Sequence, residues 1–384
     1  MSHDTISPRR PLAPLLFRIA LVAVALIMVA SVVLQRITLS GYYQIIPGSA
    51  RAVGPLISVS GMPSTTRAAD IYLVDVYVTP LTAWGWLTAP LHRPHETFQM
   101  SDYLAPGVPD SEFATQGYLD MDLSKRAAAI AALRAMGWQL TVTPVGANIY
   151  AVLGKSLAWR AGLRVADRIV SVDAITVHTT CDLIRYTHPL APGRLVHLGV
   201  QTAHVSSVGR ITYGTTHTVA LHTAALGNWA GPADCPGAPI AARSSLGLEV
   251  TNAISAPLPA TIAVSTDNIG GPSAGLAMTL ALIDHLSATK ITGRAHVAVT
   301  GTIDQWGNVG EVGGVAEKTA AAMAAGATDF IVPASQVGEA TPVAGSRLHV
   351  WGVSTVREAL ADLTKLSGVT IHPLTQPNSR PLNS

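Results

Sequence analysis

One apolar run near the N-terminus constrains this chain more than any other feature. From Leu15 to Leu34 the sequence reads LLFRIALVAVALIMVASVVL, and its one charged residue is Arg18. An α-helix needs about 20 such residues to cross a bilayer, and an arginine in the first turn reaches the head groups. The run therefore predicts a transmembrane helix over residues 15–35. A cleaved signal peptide is the competing interpretation.

The basic residues on either side of this run predict its orientation. Arg9, Arg10 and Arg18 lie on the N-terminal side, whereas Arg36 is alone on the other side. Cytoplasmic flanks of membrane helices carry an excess of lysine and arginine. The sequence therefore predicts a single-pass cell-membrane protein with residues 1–14 in the cytoplasm and everything after about residue 37 outside.

Charge and cysteine content narrow the possible partners. The chain has 384 residues, long enough for two or three domains, and its 25 basic and 23 acidic residues give a net charge of +2. This balance does not indicate nucleic acid as a partner. Cys181 and Cys235 are in neither a CxxC nor a metal-ligand spacing, and no metal or other cofactor is expected. Outside the membrane they are able to form a disulfide; two unpaired thiols are the alternative.

Composition divides the outer part into segments. Residues 37–136 alternate short β-like runs with Pro, Gly and Ser and end in a helical run, DLSKRAAAIAALRAMG. A Gly/Pro/Ala-rich stretch predicts a linker over residues 223–240. Apolar β-runs then alternate with helical runs over residues 241–366, which is typical of an α/β domain with a buried sheet. Residues 367–384 form a predicted tail.

The segment over residues 137–222 contains IYAVLGKSLAWRAGLRVADRIVSVDAITV, which predicts a strand, a short helix and a strand pair. This pattern resembles a bacterial PDZ domain, a mainly-β module in which an extended peptide adds a strand to a sheet edge. The resemblance implies a groove between the strand at residues 149–152 and the helix at residues 181–186. Its candidate contact residues are Ile149, Tyr150, Ala151 and Ile184.

The stretch DNIGGPSAG, Asp267–Gly275, contains a candidate nucleophile and is called the nucleophile loop below. Trypsin-like proteases carry their nucleophile in a Ser-Gly-Gly-Pro loop, but that serine position is Ile269 here. Ser273 instead follows a proline and precedes a helical run, which predicts a place in the first helical turn, where free amides favour negative charge. The Ser273 amide, with that of Gly271 or Gly270, is the predicted oxyanion hole.

Lys318 is the candidate base for this serine. It ends the stretch GGVAEK and begins a helical run rich in alanine. Apolar neighbours predict burial, and burial lowers the pKa of a lysine amine. A neutral amine is able to take the serine proton and return it to the leaving group.

These residues are similar to those of the Lon family of proteases. GPSAG at residues 271–275, VTG at 299–301 and GGVAEK at 313–318 match the family's motifs in order and spacing. The resemblance implies a Ser273–Lys318 dyad, with Thr300 bonded to the lysine amine, and assembly into a homo-oligomeric ring. Gly270 and Thr302 stand where the family often has acidic residues. Lon proteases also carry an ATPase, which this chain lacks, so hydrolysis independent of ATP is expected.

The predicted fold is thus an α/β Lon-type proteolytic domain, preceded by a mainly-β PDZ-like domain and an N-terminal transmembrane helix. The predicted function is hydrolysis of peptide bonds in protein or peptide substrates, with the PDZ-like module recruiting or gating them. A catalytically inactive PDZ scaffold that retains a protease-like fold is the alternative.

Overall fold

The computed structural model describes residues 13–65, 70–91, 96–102, 104, 108–226, 235 and 243–372. The predicted cytoplasmic segment, most of the predicted linker and most of the predicted tail lie outside them. The helices are α1 Ala13–Arg36, α2 Ala83–Thr88, α3 Phe113–Ala135, α4 Leu157–Arg160, α5 Thr180–Thr187, α6 Gly275–His285, α7 Val315–Ala324, α8 Val337–Ala344 and α9 Val356–Ser367.

The strands follow in chain order. They are β1 Thr38–Ala52, β2 Ile57–Ser60, β3 Ile71–Thr82, β4 Glu96–Gln99, β5 Thr143–Val152, β6 Arg168–Val172, β7 Ile175–Thr176, β8 Leu195–Val205, β9 Ile211–His222, β10 Ala224–Ala225, β11 Ser244–Ser245, β12 Leu248–Ser255, β13 Thr261–Val264, β14 Val297–Val299, β15 Thr302–Ile303, β16 Val309–Gly310, β17 Asp329–Pro333 and β18 His349–Val353.

One sheet, called the protease sheet below, has the strand order β18-β17-β14-β3-β1-β4. The strands β18, β17, β14 and β3 are parallel, and β1 is antiparallel to both β3 and β4. Alternate residues of β14 and β17 point to opposite faces. One face packs against α3, α6 and α9, the other against α7 and α8. The sheet is therefore covered by helices on both sides, as a parallel sheet requires.

The protease sheet changes the predicted division of the chain. Residues 37–136 were expected to form a segment of their own, but β1, β3 and β4 are strands of the protease sheet. Strand β2 forms a separate two-stranded sheet with β13, which follows the PDZ-like unit in the chain. Helix α3 packs on α6 in the same core. The two parts of this core therefore lie on either side of the PDZ-like unit in sequence. Local patterns could not reveal this because β3 and β14 are joined only by long-range pairing.

The second sheet, called the PDZ sheet below, has the order β12-β5-β6-β8-β9, with β7 paired to β6. Its core comprises buried residues of every one of these long strands together with α4 and α5. Strand β12 begins at Leu248 and had been expected to belong to the α/β domain, but it pairs with β5 from Leu248 opposite Val152 to Ser255 opposite Thr143. The PDZ-like unit therefore extends beyond the predicted boundary at residue 222.

Helix α1 agrees with the predicted transmembrane helix over residues 15–35. Residues Phe17–Arg36 are long and apolar enough to cross a membrane, and none of that stretch is buried inside the protein. A signal sequence near the N-terminus is equally long and apolar, so length and composition agree both with a transmembrane helix and with a signal peptide.

Cys181 and Cys235 form a disulfide. Cys181 lies in the first turn of α5, and Cys235 lies in the predicted linker. The bond therefore ties the chain that connects the two sheets to a helix of the PDZ-like unit. This resolves the alternative that the sequence left open.

Candidate active site

Lys318 lies in the first turns of α7, as the sequence predicted. Its backbone amide donates a hydrogen bond to the carbonyl of Gly314, at 2.9 Å. Gly314 has a left-handed backbone (φ +66°), and a Cβ there would approach Ile45 Cγ2 at 3.0 Å. Glycine is therefore required where the chain turns into α7 against β1. The helix packs on β1 and β3 and carries Lys318 inward, with the residue only 2% exposed.

Burial sets the charge state of this amine. Removal from water lowers the pKa of Lys318 to about 8, and the negative charges of Asp75 and Glu317 partly oppose the shift. The hydrogen bonds and ion pairs among the described residues do not engage the amine. It is therefore a buried group that changes between charged and neutral near physiological pH, as a general base must.

Ser273 lies in a turn that ends just before α6. The helix begins at Gly275, so Ser273 precedes the first helical turn rather than standing in it as predicted. The amide of Gly275 donates to the carbonyl of Pro272 at 3.1 Å and closes the turn. The side chain is half-buried. The nucleophile loop thus presents the serine near the positive end of α6, two residues before the helix begins.

Thr300 and Gly301 fix the backbone of Ser273. The Ser273 carbonyl accepts a hydrogen bond from the Gly301 amide at 3.0 Å and another from the Thr300 hydroxyl at 3.3 Å. Thr300 is fully buried at the end of β14. The resemblance implied a bond from Thr300 to the lysine amine, and the structure instead shows this hydroxyl bonded to the serine backbone. Its role here is to hold the nucleophile loop against the sheet.

The strand pairing brings the serine and lysine elements to the same end of the protease sheet. Strands β14 and β3 are parallel, with Val299 opposite Leu73. Thr300, which holds Ser273, comes directly after Val299, and Asp75, whose charge acts on the Lys318 amine, comes two residues after Leu73. The described hydrogen bonds do not include one between the Ser273 hydroxyl and the Lys318 amine.

Asp75 is a site residue that the sequence reasoning missed. Its carboxylate accepts hydrogen bonds from the Ser49 amide at 2.5 Å and the Ser49 hydroxyl at 3.0 Å, and Arg51 lies 3.8 Å away. These contacts hold a negative charge close to the buried amine. A signal was present, because Asp75 is a lone charge inside the apolar run IYLVDVYV of a predicted strand.

The predicted oxyanion amides meet helix α3. The Gly271 amide donates to the Gly117 carbonyl at 2.7 Å, and the Ser124 hydroxyl donates to the Pro272 carbonyl at 3.1 Å. A Cβ at Gly270 would approach the Gly117 carbonyl carbon at 3.1 Å. Glycine at 270 therefore allows α3 to lie directly on the nucleophile loop. In this conformation the Gly271 amide is bonded to protein and does not serve as an oxyanion donor.

Comparison with known families agrees with this geometry. A family model described as the Lon protease (S16) C-terminal proteolytic domain matches residues 260–363. Residues 260–363 are a Lon-type proteolytic domain. The match contains Ser273, Thr300 and Lys318, whereas the strands β1, β3 and β4 that complete its sheet precede it in the chain.

Curated Lon proteases are similar to part of this chain. Lon protease 1 of Sorangium cellulosum is 33% identical over 114 residues, which are 29% of this chain and 14% of that protein. Lon protease of Chloroflexus aggregans is 39% identical over 92 residues, 23% of this chain and 11% of that protein. Lon protease of Phenylobacterium zucineum is 50% identical over 64 residues, 17% of this chain and 8% of that protein. The chain thus spans at most 14% of the length of these relatives.

A PDZ domain model matches residues 149–202, ahead of the Lon-type domain. The groove predicted beside β5 is not present there, since β5 is paired on both edges, with β12 and with β6. Ile149 and Ala151 are buried in this interior strand, and Tyr150 bonds to α3. Ile184 is buried in α5.

The described PDZ sheet ends in β9 on one side and in β12 on the other. Helix α5 lies beside it, because the Asn252 side chain of β12 accepts a hydrogen bond from the Thr180 amide at 2.8 Å. A peptide that adds a strand to this sheet would pair with β12 and face α5. The sequence reasoning assigned LGLEV to the Lon-type domain and so missed the strand at this edge.

Proposed function

We propose that the chain is a membrane-anchored serine endopeptidase in which Ser273 is the nucleophile and Lys318 the general base. The observation that carries the proposal is the buried Lys318 amine, with a pKa lowered to about 8, on a helix packed against β3. Strand β3 is the neighbour of β14, and Thr300 at the end of β14 holds the Ser273 backbone. A buried lysine without an ion pair costs free energy of folding, which is expected where chemistry requires a neutral amine.

The reaction proceeds through an acyl-enzyme. The neutral Lys318 amine accepts the proton of the Ser273 hydroxyl as its oxygen attacks the carbonyl carbon of the peptide bond. The resulting ammonium returns the proton to the leaving amine, and the carbon–nitrogen bond breaks. A water molecule, deprotonated by the same lysine, then hydrolyses the ester and restores Ser273. No nucleotide takes part in these steps, so hydrolysis is expected without ATP.

Helix α3 supports a gating role for the PDZ-like unit. The Tyr150 hydroxyl of β5 donates to Asp120 at 3.3 Å, and Gln116 donates to the Tyr150 carbonyl at 3.4 Å. The neighbouring Gly117 holds the Gly271 amide of the nucleophile loop. We infer that a peptide added to β12 shifts β5 and α3 together. Release of the Gly271 amide from Gly117 would then complete the oxyanion hole.

Two observations support an anchor with the Lon-type domain outside the cytoplasm. None of the helix over Phe17–Arg36 is buried inside the described protein, as expected of a span surrounded by lipid. The Cys181–Cys235 disulfide is the kind of bond that persists in oxidising compartments. In intact spheroplasts, protease added from outside should therefore degrade the part of the chain after residue 37. Assembly into a ring stays an expectation, to be checked by cross-linking.

The test is cleavage of an unfolded protein by the full chain. Purified protein in phospholipid vesicles should degrade casein without ATP, and added ATP should not change the rate. Ser273→Ala and Lys318→Met should each abolish cleavage, whereas Lys365→Met, on an exposed ion pair of α9, should not. Equal cleavage by the wild-type chain and either dyad variant would refute the mechanism, and a folded but inactive wild-type chain would favour the inactive scaffold.

A further inference from the structure

Helix α2 and the turn after it form an apolar surface that takes no part in the proposed catalysis. Residues 83–91 read AWGWLTAPL and contain no charge. Trp86 is 65% exposed, Leu87 56% and Leu91 82%. These three side chains are called the Trp86 surface below. Three large apolar side chains so close together in the sequence of a charge-free segment are expected to contact something other than water.

The Trp86 surface lies beside the end of the membrane helix. The Ala83 amide, at the start of α2, donates to the Ile37 carbonyl at 2.9 Å, one residue beyond α1. Helix α2 also packs against α1 itself. Within Phe17–Arg36, Ser31 and Leu34 are the partly covered residues, and they lie one turn apart near its C-terminal end. At 1.5 Å per residue, Ser31 is about 8 Å below Arg36.

We propose that the Trp86 surface inserts into the outer leaflet of the bilayer that α1 spans, at the boundary between head groups and acyl chains. This inference rests on the proposed membrane anchoring. A bilayer that encloses Phe17–Arg36 ends near Arg36, and α2 begins beside Ile37 and packs against α1, so α2 is at the depth of the interface. Tryptophan is enriched at this depth, because its ring is amphipathic, and leucine side chains gain by burial in acyl chains.

The insertion would fix the distance of the active site from the membrane. Within β3, the stretch from Asp75, whose charge acts on the Lys318 amine, to Thr82 leads directly into α2. At about 3.3 Å per residue this stretch is about 23 Å long. With α1 and the Trp86 surface both in the bilayer, the strand has two neighbouring attachments and the sheet is held in one orientation. The protease then reaches chains that lie close to the membrane surface.

The test uses tryptophan fluorescence of the full chain in vesicles of phosphatidylcholine brominated on its acyl chains, which quenches only by contact. The Trp86→Phe variant should lose roughly half of the bromolipid-dependent quenching, since Trp84 and Trp86 are, among the described residues, the tryptophans beside the span. Trp306→Phe is the matched control, because Trp306 is 69% exposed but lies in the β15–β16 turn. Its quenching should equal that of the wild-type chain. Thermal unfolding checks that both variants fold.

Flotation of the same samples with the vesicles separates this proposal from the anchor on which it rests. A chain that floats while Trp86→Phe keeps all of the quenching overturns the Trp86 surface and leaves the anchored protease standing. A chain that does not float overturns both. A Trp86 that is shielded from acrylamide without being quenched by bromolipid is covered by protein, and that result also overturns the proposal.

Discussion

The two halves of the proposed dyad are held in different ways. Lys318 is held by apolar burial: its helix begins against β1, and its side chain is almost fully enclosed. Ser273 is half-buried and is held by hydrogen bonds to its backbone and its loop, from Thr300, Gly301 and α3. Burial is lost only by unfolding, whereas hydrogen bonds at a loop exchange partners at low cost.

This difference suggests which half is adjustable. The base is part of the core, so its pKa is a fixed property of the folded domain. The nucleophile loop has Thr300 and Gly301 on one side and Gly117 and Ser124 of α3 on the other, and α3 also contacts the PDZ sheet. A regulator that acts on the PDZ-like unit therefore has a route to the loop through α3.

The largest expected effect is on the cleavage rate, and the free energy of unfolding then distinguishes Lys318 from Ser273. Ser273→Ala and Lys318→Met should each lower the casein cleavage rate by at least about 10³-fold. Their free energies of unfolding should differ. Burial lowers the Lys318 pKa from 10.5 to about 8, so below pH 8 the folded state carries a cost of roughly 3 kcal/mol that methionine removes.

The pH dependence of the free energy of unfolding checks that Lys318→Met stabilises the folded state. Above pH 10.5 the amine is neutral in both states, so the gain from Lys318→Met should shrink as pH rises from about 8. Ser273→Ala should change the free energy of unfolding by less than about 0.5 kcal/mol at every pH. Urea unfolding of both variants measures this, and a Lys318→Met variant less stable than the wild-type chain would contradict the account.

The pH profile of the cleavage rate is the next effect in size. The neutral fraction of an amine with a pKa of about 8 rises roughly 50-fold between pH 6 and pH 8, so kcat/KM should rise by a similar factor and level off above pH 8. The charge of Asp75 raises the pKa of Lys318, so Asp75→Asn should move the profile to lower pH. Asp362→Asn, in an exposed ion pair of α9, should not move it. A profile displaced to higher pH by Asp75→Asn would refute this electrostatic role.

The site residues that sequence predicted are those whose signal is local. Ser273 and Lys318 each lie in a short stretch with a distinctive pattern, and both lie within the matched residues 260–363, while their catalytic roles stay predictions. Asp75 acts on Lys318 only because β3 lies beside both β14 and α7, and this pairing joins residues more than two hundred positions apart in sequence. Its charge could be noticed in the sequence, but its partner could not.

The fold, too, was predictable only where its sequence signal is local. The pattern of strands and helices after residue 241 predicted an α/β domain, and the span over residues 15–35 matched α1. The sheet membership of β1, β3 and β12 was not predictable, since β3 pairs with β14 beyond the PDZ-like unit, β1 joins that sheet only through β3, and β12 pairs with β5 about a hundred residues earlier. The edge of the PDZ sheet was misplaced for this reason. Helix α6 begins two residues after Ser273, which was expected in the first turn, because helix starts are poorly fixed by sequence.

A smaller effect is expected where α3 meets the nucleophile loop. Gly270→Ala places a methyl group 3.1 Å from the Gly117 carbonyl carbon and 3.3 Å from its Cα, and backbone lies on both sides of the contact. The loop and α3 must separate slightly, at a cost of about 1–2 kcal/mol in the free energy of unfolding.

Gly117→Ala is the matched control for this contact. Its methyl group would lie 3.5 Å from the Gly271 amide, an ordinary van der Waals distance, and alanine should stabilise the helix by about 1 kcal/mol. Thermal unfolding of the two variants should therefore shift in opposite directions. Equal shifts would mean that α3 does not lie on the loop as described.

The smallest expected effect tests whether the PDZ sheet holds α3. Tyr150→Phe removes the 3.3 Å hydrogen bond to Asp120 and should cost about 1 kcal/mol of unfolding free energy. Burial raises the pKa of Asp120 to about 6 and the Tyr150 bond lowers it, so in the variant Asp120 should titrate at higher pH.

Tyr186→Phe is the control, because it loses a similar bond, to Asp173 at 2.9 Å, within the PDZ-like unit. Both variants should lose similar stability, but only Tyr150→Phe should alter casein cleavage, because Tyr150 alone of the two contacts α3. A change of rate in Tyr186→Phe as large as in Tyr150→Phe would show that the PDZ-like unit acts on the nucleophile loop by some route other than this helix.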